Sequence, residues 1–145
     1  MAVARPGHHI VLSLDLDLKP NMRVYAPGVE GYTPIDWKLE EGPAAKAIPF
    51  QYPASRKLHL KAIGKTVPVY RGRVRITREI TFGQEDVVRP LASFTGELVL
   101  KESLRYQACD DRKCYVPETV ALEWRFHFEG LDRERAPLSL RRKLP

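Results

Sequence analysis

The sequence predicts an all-β protein built as an antiparallel β-sandwich. Apolar and polar residues alternate along most of the chain, which is the pattern of strands that bury one face. Proline, glycine and aspartate residues separate about eight such segments, as in an all-β fold. Helical periodicity does not extend beyond two turns. Two sheets packed face to face would bury all of the apolar faces.

Five longer strands are predicted, in chain order, in HIVLSLDLDL, PIDWKLE, RVRITREITF, FTGELVLK and TVALEWRFHF. Successive residues of a strand point to opposite sides, so each segment collects its apolar side chains on one face. The residues expected on these faces are Ile10, Leu12, Leu14, Leu16, Leu18, Ile35, Trp37, Leu39, Val74, Ile76, Ile80, Phe82, Phe94, Leu98, Leu100, Val120, Leu122, Trp124, Phe126 and Phe128. Shorter extended pieces are expected at residues 22–25, 67–70 and 104–109, and a long loop at residues 41–64.

A chain of 145 residues is expected to form one domain that buries its core without crosslinks. We assign residues 1–130 to this domain and the charged residues 131–145 to a tail or the start of a linker. No apolar run approaches the ~20 residues needed to cross a bilayer. The chain has a net charge of +6, and three of its arginines, Arg71, Arg73 and Arg75, lie close together. The sequence contains no recognised nucleic-acid-binding motif. We therefore expect a solvated face and no nucleic-acid partner.

Both cysteines of the chain, Cys109 and Cys114, lie in one short segment, CDDRKC. The aspartates between them favour a turn and the flanking segments can form strands, so a hairpin-like corner is expected. Facing residues of a non-hydrogen-bonded antiparallel pair have Cα atoms ~4.5 Å apart, and a disulfide tolerates roughly 4.4–6.8 Å. The two sulfurs could therefore bond without movement of the backbone. A zinc site is not expected, because none of the histidines (His8, His9, His59 and His127) is spaced to join the cysteines as a ligand.

The position of the pair favours reversible thiol–disulfide exchange over bracing of the fold. A disulfide that closes so short a loop adds only about 2 kcal/mol to stability, and opening it costs little elsewhere. Positive neighbours stabilise a thiolate; an arginine and a lysine immediately precede Cys114, whereas two aspartates follow Cys109. Cys114 is therefore the expected attacking sulfur. The spacing alone leaves open a passive structural disulfide or two inert thiols.

The segment YQACDDRKCYVPE resembles the signature of the amino-terminal periplasmic domain of the thiol:disulfide interchange protein DsbD family. Two further segments are similar to that family: RVYAPG at residues 23–28 and IGKTVPVYRGRVRI at residues 63–76. The likeness extends over roughly residues 8–130, and the cysteine motif is its specific part. The matching positions of the motif are Tyr106, Gln107, Cys109, Cys114, Pro117 and Glu118.

This resemblance implies an immunoglobulin-like β-sandwich and a protein-disulfide reductase type of activity. It implies that Cys109 and Cys114 form the redox pair, that Cys114 makes the mixed disulfides, and that no cofactor is needed. The family's domain receives electrons from an upstream thioredoxin-like or transmembrane donor. It passes them to thioredoxin-like envelope proteins such as DsbC-like and CcmG-like partners. The implied location is the periplasm, with membrane contact only through a fused inner-membrane domain.

Well-studied members of the family shield their sulfurs with an aromatic residue on a cap loop. The matching segment here, PASRKLHLKAIG at residues 53–64, contains no Phe, Tyr or Trp. Leu58, Leu60 or Ile63 could cover the disulfide instead, with Tyr25 packing from the other side. The alternative is that these aliphatic residues only anchor the loop in the core. The cysteines are also separated by four residues, one fewer than in those members.

Tyr106 and Tyr115 flank the cysteine pair and could form an apolar rim on which thioredoxin-like partners dock. They could equally be ordinary strand aromatics. The competing function is an immunoglobulin-like protein-binding module in which a passive disulfide only shapes a recognition loop.

Overall fold

A computed structural model describes residues 2–40 and 42–130 of the chain. Eleven strands account for most of these residues, and the helical part is one four-residue turn, α1 (Glu85–Val88), followed by a 3₁₀ turn at Arg89–Leu91. No helix in this part of the chain is long and apolar enough to span a membrane. The strands are β1 (Ala2–Ala4), β2 (His9–Asp17), β3 (Arg23–Tyr25), β4 (Asp36–Leu39), β5 (Ala45–Ala47), β6 (Arg56–Leu60), β7 (Lys65–Tyr70), β8 (Arg73–Phe82), β9 (Glu97–Tyr106), β10 (Ala108–Cys109) and β11 (Glu118–Phe128).

The strands form three sheets, with orders β1-β11-β9-β4, β2-β8-β5 and β10-β3-β7-β6. Every pairing is antiparallel except that of β1 with β11. Apolar residues of the first two sheets pack against one another in the main core, as the edge-to-face contact of Phe82 with Phe126 at 5.3 Å shows. The third sheet carries a second, smaller apolar cluster at its own surface. The prediction of an all-β sandwich is confirmed.

Alternating burial explains why the long segments form strands. Residues of β2 and β8 alternate between buried and exposed positions along most of their length, and β2 runs antiparallel to β8 in continuous register from His9 opposite Thr81 to Asp17 opposite Arg73. Both tryptophans join the main core: Trp37 is fully buried, and Trp124 packs against it while partly exposed. Val120 was expected on the buried face of β11 but is 40% exposed, because the first residues of this strand extend beyond the core.

Three sequence-based expectations about local structure are wrong. Residues 41–64 are not one long loop, since they contain β5, paired with β8, and β6, paired with β7. Phe94 does not belong to the buried face of β9; it precedes that strand and is fully exposed. The short strand β1 was not expected at all, and it adds an edge to the first sheet. The predicted tail at residues 131–145 lies outside the described residues.

Two charged residues are buried in the main core, in phase with its apolar side chains. Glu102 follows Leu98 and Leu100 on the inner face of β9, and its Oε2 accepts hydrogen bonds from the indole N–H groups of Trp37 and Trp124. Arg78 donates through Nη1 to the carbonyl oxygen of Trp37 at 2.6 Å and lies over that indole ring. Burial raises the pKa of Glu102, an effect that the indole hydrogen bonds and nearby Arg78 oppose. The buried charges are thus held by hydrogen bonds and ring contacts.

The raised pKa of Glu102 predicts a specific pH dependence of stability. Between its unfolded pKa and its folded pKa, the folded state binds more protons, so this residue's contribution to stability falls as pH rises through that window. Glu102→Gln keeps an acceptor for both indoles but cannot ionise. We therefore expect the unfolding free energy of the variant, relative to the unaltered protein, to rise as pH increases from 4.5 towards 8, as measured by urea denaturation.

Glu102→Ala is the control, because it removes the acceptor as well as the charge. It should be destabilised at every pH, by ~1–3 kcal/mol for each indole N–H left buried without a partner. A difference between the Gln variant and the unaltered protein that does not change with pH would show that Glu102 does not titrate abnormally in the folded state.

Candidate active site

The cysteine pair sits at a corner that the backbone closes by itself. Cys109 ends β10, whose two residues pair with Arg23 and Val24 of β3, and Cys114 faces Cys109 as an isolated antiparallel bridge. The neighbouring hydrogen bonds, from Asp110 N to Lys113 O at 2.9 Å and from Tyr115 N to Ala108 O at 2.8 Å, make the cysteines a non-hydrogen-bonded pair. Their Cα atoms are 4.0 Å apart and a disulfide joins the sulfurs. The predicted hairpin-like corner and its disulfide are present.

Asp110 holds the turn between the cysteines. Its Oδ1 accepts the backbone N–H groups of Arg112 at 2.7 Å and Lys113 at 2.8 Å. These bonds, that of Lys113 first, keep the pKa of the Asp110 carboxyl below its ordinary value. Asp111 lies 3.5 Å from the guanidinium of the buried Arg23. Both acidic groups of the turn are therefore engaged with protein partners.

The two cysteine residues differ sharply in exposure. Cys109 has 0% of its surface accessible, whereas Cys114 is exposed. The two residues after Cys114 are also open to solvent, with Tyr115 43% and Val116 81% exposed. A reacting group of another protein therefore meets the Cys114 side of the disulfide first, while Cys109 is reachable only after a rearrangement.

Cys109 belongs to the smaller apolar cluster, together with Tyr25, Val67 and Val69. The partly buried residues packed against this cluster are Val29, Tyr32, Leu58 and Leu60. Three of the residues expected to shield the disulfide, Tyr25, Leu58 and Leu60, are thus in the cluster that contains Cys109 or pack against it. Ile63 is 52% exposed and lies outside the cluster.

The hydroxyl of Tyr25 lies beside both sulfurs of the disulfide. Its oxygen lies 3.6 Å from the sulfur of Cys109 and 3.6 Å from that of Cys114. Since a disulfide sulfur carries no proton, the hydroxyl is the donor. Burial is the main cause that raises the pKa of Tyr25, followed by neighbouring Tyr32, whose ring stacks on it at 4.4 Å. The hydroxyl therefore stays protonated at neutral pH and remains a donor.

The two tyrosines predicted to form a docking rim lie in different surroundings. Tyr106 packs against the main core and donates its hydroxyl proton to Glu118 at 2.9 Å. Tyr115 is beside Cys114, donates to Asp110 at 3.3 Å, and has the Lys113 ammonium 4.8 Å from its ring centre. Of the two tyrosines, Tyr115 is therefore the exposed neighbour of Cys114.

Sequence reasoning did not assign a role to three residues of the site. The amide of Gln107 accepts from Thr33 N at 2.9 Å and donates to Tyr115 O at 3.3 Å, which ties the cysteine corner to the loop before β4. Tyr32 buttresses Tyr25, and its only sequence signal is an aromatic residue in a Gly- and Pro-rich segment. Val116 is the apolar residue most exposed near Cys114.

Within residues 2–40 and 42–130, no group of three His, Cys, Asp or Glu residues is arranged to hold a metal ion.

The position of the Tyr25 hydroxyl predicts a role in the reduced state. A thiolate accepts a hydrogen bond more strongly than a disulfide sulfur does, so this hydroxyl should stabilise the thiolate. Tyr25→Phe retains the ring and its stacking on Tyr32. We expect the reduced variant to be alkylated by iodoacetamide at pH 7 about two to three times more slowly. One lost hydrogen bond of ~1 kcal/mol lowers the thiolate fraction about fivefold, and the greater nucleophilicity of the more basic thiolate offsets roughly half of that effect on a logarithmic scale. Tyr106→Phe, which removes a hydroxyl bound to Glu118, is the matched control. Equal alkylation rates for Tyr25→Phe and the unaltered protein would exclude this role.

Comparison with known proteins supplies the family. The profile described as "Thiol:disulfide interchange protein DsbD, N-terminal" matches residues 1–124, which include both cysteines. Searches of curated proteins and of solved structures returned no significant match. The resemblance found from the sequence is therefore confirmed, and the family's immunoglobulin-like fold agrees with the observed sandwich. Thiol–disulfide exchange is the chemistry of this family, whose N-terminal domain is periplasmic. The chain belongs to the family of DsbD N-terminal domains.

Proposed function

We propose that this domain is a protein-disulfide reductase module of the cell envelope. It accepts electrons from an upstream dithiol, on a thioredoxin-like or transmembrane donor, and reduces disulfides of envelope proteins through Cys109 and Cys114. The observation that carries the proposal is the exposure difference of the pair, with Cys114 an exposed residue and Cys109 a fully buried one bonded to it. Such a pair can form a mixed disulfide at one sulfur and resolve it with the other.

The reductive half-reaction begins with the Cys114 thiolate. It attacks one sulfur of the partner's disulfide, so that a Cys114–partner bond forms, the partner's bond breaks, and the partner's other sulfur leaves as a thiolate that takes up a proton. Cys109, deprotonated, then attacks the Cys114 sulfur and expels the second partner thiolate. The partner gains two electrons and the domain ends as the Cys109–Cys114 disulfide. The backbone pairing that holds the two Cα atoms 4.0 Å apart keeps Cys109 within reach for the second step.

The donor reverses these steps. Its thiolate attacks the exposed Cys114 sulfur, Cys109 leaves as the thiolate, and the donor's second thiol resolves the mixed disulfide. The Tyr25 hydroxyl, 3.6 Å from both sulfurs, is placed to donate a hydrogen bond to the sulfur that leaves. The sulfur pair carries both electrons, so the mechanism needs no cofactor.

The partners proposed are thioredoxin-like envelope proteins, including DsbC-like and CcmG-like ones. Tyr115 is proposed as a docking residue, because it is exposed next to Cys114, and Leu58, Leu60 and Tyr25 as the shield of the buried sulfur. The proposed location is the periplasm, with attachment to the inner membrane only through a fused domain. Nucleic acid is not a proposed partner: Arg75 and Arg73 already lie 2.7 Å and 3.9 Å from Asp15 and Asp17.

Serine variants of the two cysteines test the assignment of roles. The Cys109→Ser variant lacks the resolving sulfur, so it should accumulate a stable mixed disulfide when mixed with an oxidised Cys-x-x-Cys protein of the thioredoxin type. The Cys114→Ser variant retains only a buried sulfur and should trap at least tenfold less, measured by non-reducing electrophoresis and mass spectrometry. Each variant is the other's control, because both carry a single cysteine. Efficient trapping by Cys114→Ser, with none by Cys109→Ser, would reverse the roles.

A further inference from the structure

Positive charge is concentrated in one continuous part of the chain. Residues 42–78 contain nine lysines and arginines and no aspartate or glutamate. The remaining residues therefore carry 15 basic and 18 acidic side chains, a net charge of −3 against +9 for this segment. The basic residues are Lys46, Arg56, Lys57, Lys61, Lys65, Arg71, Arg73, Arg75 and Arg78.

Four of these nine cations lie on the hairpin formed by β6 and the start of β7, which we call the basic hairpin (residues 56–65). All four, Arg56, Lys57, Lys61 and Lys65, are exposed, and no ion pair within the described part of the chain involves them. Gly64, at φ +62°, supports the tight turn with a conformation that favours glycine. The cations therefore stand free in solvent at the edge of the third sheet.

The basic hairpin is fixed to the redox site by its apolar side. Leu58 and Leu60 pack against the cluster that contains the fully buried Cys109, while the residues between and beside them point outward. In β6, Leu58 and Leu60 thus cover the buried sulfur, while Lys57 and His59 between and beside them face solvent, as the period of two requires. Arg56, Lys61 and Lys65 lie at the ends of the two strands and in the turn.

The turn that carries Cys114 has no net charge, because Arg112 and Lys113 offset Asp110 and Asp111, so the excess of positive charge beside the site lies on the basic hairpin. Arg112 and Lys113 precede the exposed sulfur and are themselves exposed. The acids of the same turn, Asp110 and Asp111, are bound to backbone N–H groups and to Arg23. Glu30 lies in the loop between Val29 and Tyr32 and offsets a single charge. Exposed apolar side chains, Tyr115 and Val116, follow directly after Cys114.

We propose that the basic hairpin is an electrostatic docking element that selects partner disulfides surrounded by aspartate and glutamate. This inference rests on the proposed function and names the class of its substrates: proteins whose reactive disulfide lies within an acidic surface. Complementary charge raises encounter rates by about 10–10³-fold, while apolar contact at the centre holds the encounter complex. An anionic membrane is the competing ligand for a cationic hairpin, but only a protein brings a disulfide to Cys114, which is bonded to the sulfur that this hairpin covers.

Three synthetic peptides test the proposal. Each contains one Cys-x-x-Cys disulfide, flanked by glutamates, by lysines or by serines, and its reduction by the reduced domain is followed by stopped flow. We compare the unaltered protein with the variant Lys57→Gln/Lys61→Gln/Lys65→Gln. The matched control, Lys19→Gln/Lys46→Gln/Lys101→Gln, loses the same charge from exposed lysines on other elements.

The acidic peptide should react fastest with the unaltered protein, and the hairpin variant should slow it at least fivefold at ~0.01 M salt, where the Debye length is ~30 Å. The difference should disappear at ~1 M salt, where that length is ~3 Å. The serine peptide should react equally with all three proteins, which shows that the sulfur chemistry and the fold are intact.

Two results would overturn docking by the hairpin while leaving the proposed function in place. One is an equal loss of rate in the control variant, which would make net charge the cause. The other is an unchanged rate for the acidic peptide together with hairpin-dependent binding to phosphatidylglycerol vesicles, which would make a membrane the ligand. Failure of the unaltered protein to reduce any of the three peptides would instead contradict the proposed function, and docking with it.

Discussion

The site depends on one constraint: Cys109 and Cys114 face each other as a non-hydrogen-bonded pair at the end of a two-residue strand. Backbone hydrogen bonds on both sides hold the two residues opposite each other, and their Cα atoms are 4.0 Å apart in the disulfide-bonded pair. Because β10 is anchored on β3, Cys109 points into the small apolar cluster. Cys114, on the returning chain, is left in solvent. The asymmetry that the proposed chemistry needs follows from this backbone arrangement.

The cysteine corner packs on an apolar cluster distinct from the main core. The main core joins the first two sheets and also takes Val24 and Tyr70 from the third, whereas the cluster at Cys109 is built from a few other residues of the third sheet. The turn between the cysteines is held by local bonds to Asp110. Segments with local bonds and few buried contacts open at lower free energy than a core does.

The edge strand β6 covers the sulfur of Cys109 and also presents a lysine to solvent. A lysine on an edge strand discourages pairing with other chains.

Period-two alternation was sufficient to predict the long strands, because a strand with one buried face leaves that record in the sequence. It failed for β1 and β5, whose three residues are too few to show a period, and for β6, whose neighbours include several prolines. The sequence also did not reveal that Arg78 and Glu102 are buried in the core. They occupy inward positions of β8 and β9, where a charge is tolerated only because Trp37 supplies partners from another strand. Such partners cannot be seen in local sequence.

The cysteine pair could be found from spacing alone, since a corner of this length brings its ends together. The surroundings of the pair could not be found in this way, because the stacking of Tyr32 on Tyr25 and the bridging by Gln107 depend on contacts that spacing does not reveal.

The most direct test of the account is titration of the pair against glutathione. An exchangeable pair should equilibrate with that couple and show a midpoint above about −300 mV. A disulfide that stays oxidised below about −300 mV would show that it only shapes the loop.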